Sequence, residues 1–243
     1  MNKKIKYIFI AIFIISAMLS FYLLNKKAEG TTAVIYQNGK IIKKINSMSD
    51  SQSPYRTFCD FVTCTALSIV QNVVSFSKRE KQFKDIIEKY DVKKFTELMS
   101  LLTYTYEDHF GDILGNIYMM SGWGNKNAGQ FFTPYSVSQC CAESVNYKPD
   151  EIIFMNEPSA GAGGMIVATA EAMKNQGINF QKSLRVVAQD LDQIATYMCY
   201  ITLSLYGIDA KVIQGDTLEN QICKNLDDKV YLTPMFWMNG AMW

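Results

Sequence analysis

The chain has 243 residues, 49% of them apolar and 19% charged, which fits one globular core with attachments rather than two full domains. Twenty-four basic against 23 acidic side chains give a net charge of +1, so no overall positive field advertises nucleic acid. One histidine, His109, and six cysteines without a C-x-x-C pair set aside a histidine–cysteine zinc site; the cysteines read as reduced core residues.

The first element is the uncharged run YIFIAIFIISAMLSFYLL, residues 7–24. As a helix it would span roughly 27 Å, close to the ~30 Å of a bilayer core. A cleaved signal peptide is the competing reading, but no A-x-A-like site follows, so an uncleaved membrane helix is expected. Lys26, Lys27, Lys40, Lys43 and Lys44 after it, against Lys3, Lys4 and Lys6 before it, favour a cytoplasmic C-terminal side. The expectation is thus a single-pass anchored protein with the membrane as partner through residues 7–24, and a wholly cytoplasmic protein is the alternative. The β-branched runs around Asn38-Gly39 predict a hairpin, which completes a first segment, 1–46, similar to the front of a small membrane-anchored β-domain protein. A polar linker, 47–54, follows.

Residues 55–147 read as helical. Phe58, Phe61, Val62, Leu67, Val70 and Val74 recur at helical spacing, and further helices are expected over 79–90 and 93–106. The basic run 78–94, with seven basic and four acidic side chains, reads as a solvated helix face rather than a DNA contact. From 148 to 243 the pattern alternates: strand EIIFM, a glycine elbow and helix to about Lys174, strand LRVVAQD, a helix closed by Gly207, strand AKVIQGD, and a fourth candidate, KVYLT. This rhythm implies a parallel sheet with crossover helices.

Ligands of such sheets collect at the carboxyl ends of the strands. The first end carries Glu157-Pro-Ser159-Ala160-Gly161-Ala-Gly163-Gly164. This is neither the G-x-G-x-x-G of a dinucleotide site nor a lysine-bearing phosphate loop. Glu157 beside the elbow would repel pyrophosphate and suits a cationic ligand such as S-adenosylmethionine; a plain turn is the other reading. Asp190, 26 residues past Gly164, can accept two ribose hydroxyls. Asp216 can take an adenine amino group or simply close a turn.

The motifs GQFFTP (129–134), EPSAGAGG (157–164), AQDLD (188–192) and GDTL (215–218) occur in the order found in adenine-N6 DNA methyltransferases. Over residues 55–220 the chain resembles the modification (methylase) subunits of type I restriction-modification systems. The resemblance implies a Rossmann-like, S-adenosylmethionine-dependent methyltransferase core, here an incomplete parallel sheet with crossover helices; the helical region and the N-terminal transmembrane helix expected from residues 7–24 precede it. It implies that Gln130, Phe131, Phe132, Thr133 and Pro134 wall the cofactor pocket. Ser159, Ala160 and Gly161 would approach the methionine part through backbone, Asp190 would take the ribose and Asp216 the adenine, and Glu157 and Gly163 would belong to the same cofactor site. The partners it implies are DNA and a separate specificity or partner subunit.

The resemblance fails at one place. The family's N/D-P-P-Y/F motif, which accepts the hydrogens of a flipped adenine, is absent: of five prolines no two are adjacent. Thr233-Pro234-Met235-Phe236, seventeen residues past Asp216, is the segment that aligns with it. Thr233, Pro234 and Phe236 are therefore either a degenerate catalytic motif or a coincidence in an apolar tail. The corresponding functions are adenine-N6 methyl transfer to DNA, or a silent cofactor-binding or DNA-associated module.

Overall fold

The computed structural model describes residues 31–49, 53–69, 76–123, 131–149, 151–219, 229–240 and 243. The first described element corrects the expected hairpin. Helix α1, Thr31–Ser47, runs straight through Asn38-Gly39, and Gly39 does not have the positive φ that an Asn-Gly turn needs. Asn38, Ile41, Ile45 and Met48 are buried on one helical stripe. That stripe packs against α2 (Pro54–Ile69), α4 (Val92–Asp108) and α5 (Ile113–Met120). Burying it outweighs the local turn preference, and a helical glycine costs only about 1 kcal/mol.

The fold is corrected in a second respect: among the described residues no helix is long and apolar enough to cross a membrane. Residues 7–24, which suggested one, lie outside the described residues.

Helix α3 spans Phe76–Ile87. Helices α4 and α5 each start at an aspartate: Asp91 accepts the Lys93 N–H and Asp112 the Gly115 N–H, both at 2.9 Å. Helix α6, Tyr135–Glu143, leads toward the sheet.

Strand β1 (Ile153–Glu157) is followed by α7 (Gly164–Asn175), the single turn α8 (Phe180–Ser183), β2 (Leu184–Asp190), α9 (Gln193–Leu205), β3 (Asp209–Gln214), β4 (Val230–Leu232) and α10 (Pro234–Met238). The sheet order is β1-β2-β3-β4. The first three strands are parallel, with Glu157 beside Ala188 and Asp190 beside Gln214. Right-handed crossovers that step in one direction put α7 and α9 on the same face of the sheet. Helix α9 is buried along its whole second half against α2, β2 and β3.

β4 departs from the expected parallel sheet. It pairs antiparallel with β3, Leu232 beside Lys211 and Val230 beside Ile213. The chain therefore runs back toward the amino ends of the strands, where α10 packs on β3.

Tyrosines clamp the helical region to the sheet layer. The Tyr106 and Thr202 hydroxyls are 2.7 Å apart. The Tyr206 hydroxyl accepts the Gly111 N–H at 2.8 Å and donates toward the carbonyls of Gly111 and His109, while its ring stacks on Phe110. Both tyrosines are fully buried, so these partners are what makes burying the hydroxyls tolerable.

Candidate functional site

The loops after β1, β2 and β3 meet at the carboxyl edge of the sheet. The first is shaped by backbone that only glycine adopts readily: φ is +54° at Gly161 and +94° at Gly163. A Cβ on Gly161 would lie 3.0 Å from Cδ1 of Phe132, so the bare backbone is what lets that ring close on the loop. Phe132 in turn stacks on Tyr118 of α5, with centroids 5.3 Å apart.

Asp190 ties the loops together. One carboxylate oxygen accepts the Gly161 N–H at 2.8 Å and the other the Asp192 N–H at 2.9 Å, while its carbonyl accepts Gly215 N–H at 2.9 Å. Burial raises its pKa, and the Asp192 and Gly161 N–H bonds oppose that rise. The Thr217 hydroxyl reaches the Pro158 carbonyl at 2.7 Å and joins the third loop to the first.

Two cavities flank this hub, and Ser159 lines both. The larger, about 390 Å³, is bounded by Pro158, Asp190, Leu191 and the 215–218 loop, including Asp216. The smaller, about 280 Å³, lies among Phe131, Phe132, Thr133, Glu157, Ala160, Gly161 and Met165, with Asp112 in its wall. Among the described residues no lysine or arginine lines either cavity, whereas four carboxylates do: Asp112, Glu157, Asp190 and Asp216. Such a lining repels phosphate and suits a cationic ligand with hydroxyl and amino groups.

Of the residues singled out in the sequence, the structure brings Phe131, Phe132, Thr133, Glu157, Ser159, Ala160, Gly161, Asp190 and Asp216 to these two cavities. Pro134 stands instead at the start of α6, and Gly163 starts α7, with Cys199 Sγ 3.3 Å from where its Cβ would be. Gln130 lies outside the described residues.

The T-P-M-F segment is not at the cavities. The Thr233 side chain is fully buried, donates to the Ile208 carbonyl at 2.8 Å and accepts the Ala210 N–H at 3.0 Å, all at the amino end of β3. Pro234 opens α10, and Phe236 packs with Ile213, Val230 and Leu232. Asp209 holds this tail through Asn239 at 2.8 Å and Trp243 at 3.0 Å. The antiparallel turn of β4 thus carries the three residues to the end of the sheet opposite the loops. The reading as a catalytic motif is corrected on that ground: the threonine hydroxyl is spent on strand backbone.

Asp112 was missed because the glycine-rich stretch from Gly111 reads as a loop in the sequence, whereas Ile113–Met120 is helix α5 and Asp112 caps it. A usable signal was the absence of any lysine or arginine between Lys94 and Lys126, which leaves this acid without a local countercharge.

The family model for N-6 DNA methylase matches residues 106–236. A type I restriction enzyme methylase subunit, MjaVIII, of Methanocaldococcus jannaschii is 32% identical over 116 residues, which are 45% of this chain and 19% of the relative. The chain thus matches about a fifth of that relative's length. Among solved structures, one from Listeria monocytogenes described as a class I S-adenosylmethionine-dependent methyltransferase aligns at 10% identity and TM-score 0.45, covering 77% of this chain and 56% of that one. The type I restriction-modification methyltransferase subunit of Streptococcus thermophilus aligns at 10% identity and TM-score 0.44, covering 82% and 61%.

Proposed function

Because the chain belongs to the N-6 DNA methylase family, we propose that the paired cavities form one S-adenosylmethionine site and that the chain serves methyl transfer to adenine N6 in DNA. The observation that carries this reading is the hub at Gly161. Its left-handed backbone lies against Phe132, its N–H is held by Asp190, and the neighbouring Ser159 lines both cavities.

The residues present fit that ligand. A Cβ at Gly161 would press on the Phe132 ring in the cavity wall, and the acidic lining, without lysine or arginine among the described residues, matches a cation that carries no phosphate. Bound there, S-adenosylmethionine supplies a methyl group on a positively charged sulfur. Glu157 favours that charge, and the ring of Phe132 offers it a π face. Asp190 and Asp216 would orient the ribose and adenine, with Asp190 held in place by its two backbone N–H bonds. DNA is the substrate this reading implies, and a separate polypeptide would supply base-sequence readout, as in a type I system.

A second reading, a module that binds the cofactor without performing transfer, is favoured by one observation: the Thr233 hydroxyl is bonded to β3 backbone at the far end of the sheet. Calorimetry with S-adenosylmethionine and with NAD, followed by labelled methyl transfer to mixed-sequence DNA, separates the cases. Binding of the first ligand alone supports the site. Transfer then supports the enzyme, and binding without transfer supports the module. Tight NAD binding would overturn both.

A further inference from the structure

We propose that the carboxylate of Asp112, contributed by the helical region and not by the sheet loops, binds the α-ammonium group at the amino-acid end of the ligand. This deepens the cofactor-site reading and rests on it. Asp112 lines the smaller cavity with Gly161, Gly164 and Met165, and only 4% of its surface is exposed. Its role as a helix cap accounts for one oxygen, Oδ1, which accepts the Gly115 N–H. Oδ2 accepts no hydrogen bond from the described residues. A Cβ on Gly164 would sit 3.1 Å from that oxygen, so the first turn of α7 approaches it through bare backbone.

A carboxylate so deeply buried is costly unless a positive charge meets it. Among the described residues, the titratable groups facing Asp112 supply none. They are Tyr106 from α4, Tyr135 from α6, Cys199 from α9 and Tyr206 beyond it, with Glu157 across the same cavity. Burial pushes the Asp112 carboxyl up to about 6, opposed only by the Gly115 N–H. What favours its charge is the Gly115 N–H and the positive amino ends of two helices, α5, which it caps, and α7, which approaches it at Gly164. A ligand ammonium entering the cavity would meet Glu157 and Asp112 together, and so reads out the helical region and the sheet at once.

The inference has a pH signature that a merely structural cap lacks. A protonated Asp112 cannot serve a cation, so affinity should fall as pH drops through about 6. The test is calorimetric titration of the full chain with S-adenosylmethionine from pH 5 to 7, for the wild type and Asp112→Asn, with thermal melts in parallel. Asparagine caps helices as well as aspartate, so the variant retains the structural role. The expected result is a wild-type affinity that weakens about tenfold toward pH 5, and an Asn variant about tenfold weaker at pH 7 with a flat profile. Equal affinity and an equal profile in both proteins would overturn the inference while leaving the cofactor site standing. Should the variant fail to fold, a flat wild-type profile alone overturns it and a sloping one upholds it. If the wild type binds no S-adenosylmethionine at any pH, the underlying site reading falls as well.

Discussion

The two ends of the sheet use similar residues for opposite purposes. At the carboxyl end, Asp190 spends its side chain on the N–H groups of a strained loop and keeps an open cavity beside it. At the amino end, Asp209 and Thr233 spend theirs on Arg185, Asn239, Trp243 and the start of β3, and they close the tail over the strands. The first arrangement orients backbone around a space. The second satisfies buried polar groups. A motif's position along the strand, more than its letters, therefore decides whether it can do chemistry.

The sharpest way to break this contrast is Gly161→Ala. The added methyl meets Phe132 at 3.0 Å in a backbone with φ +54°, so cofactor affinity should fall about a thousandfold, roughly 4 kcal/mol, by calorimetry. Binding within a few-fold of wild type would mean that the cavity is not where the ligand goes.

Next in size is the effect of charge at Asp112. Its folded pKa is raised above the unfolded value, so its contribution to stability is fully present below about pH 4 and is lost as pH rises through about 6. Asp112→Asn should therefore stabilise the ligand-free chain by up to about 3 kcal/mol at pH 7, with the gain vanishing near pH 4. Urea unfolding at several pH values measures it, and a gain that does not vary with pH would contradict the assignment.

At the other end, Thr233→Val removes the hydroxyl that bridges Ile208 and Ala210 and leaves a buried N–H unpaired. It should cost about 2 kcal/mol of stability and leave cofactor affinity unchanged. A loss of affinity in a protein that still melts normally would restore Thr233 to the site and dissolve the contrast. The smallest effect calibrates the first. Gly39→Ala places the same methyl where nothing lies within 4 Å in a regular helix, and should raise stability by about 0.5–1 kcal/mol. Destabilisation there would point back to a turn at Asn38-Gly39.

Much of the sheet was legible because its strands are short apolar runs with sharp ends: LRVVAQD, read as a strand, is β2 from Leu184 to Asp190. The loops that reach the cavities were legible for the same reason, since Glu157, Asp190 and Asp216 follow or end those runs. Three features were not. Helix α1 hides behind a strong turn dipeptide, because its burial depends on α4 and α5 far along the chain. The direction of β4 is a long-range pairing that no local pattern encodes, and it moved Thr233, Pro234 and Phe236 away from the cavities. Asp112 reaches the glycine loop through a contact between the helical region and the sheet, and that long-range approach is not encoded around Gly111.

The Tyr206 phenol has a consequence beyond packing. It grips the peptide at Gly111, one residue before Asp112, from the far end of α9. With the Gly115 N–H that holds Asp112 itself, this grip helps to place the acid relative to the glycine loop, much as a spacer sets the gap between two plates. Ligands that differ in length at their charged end would then be sorted by a dimension set at the back of the molecule, and trimming the spacer to phenylalanine should loosen that sorting before it touches anything at the mouth.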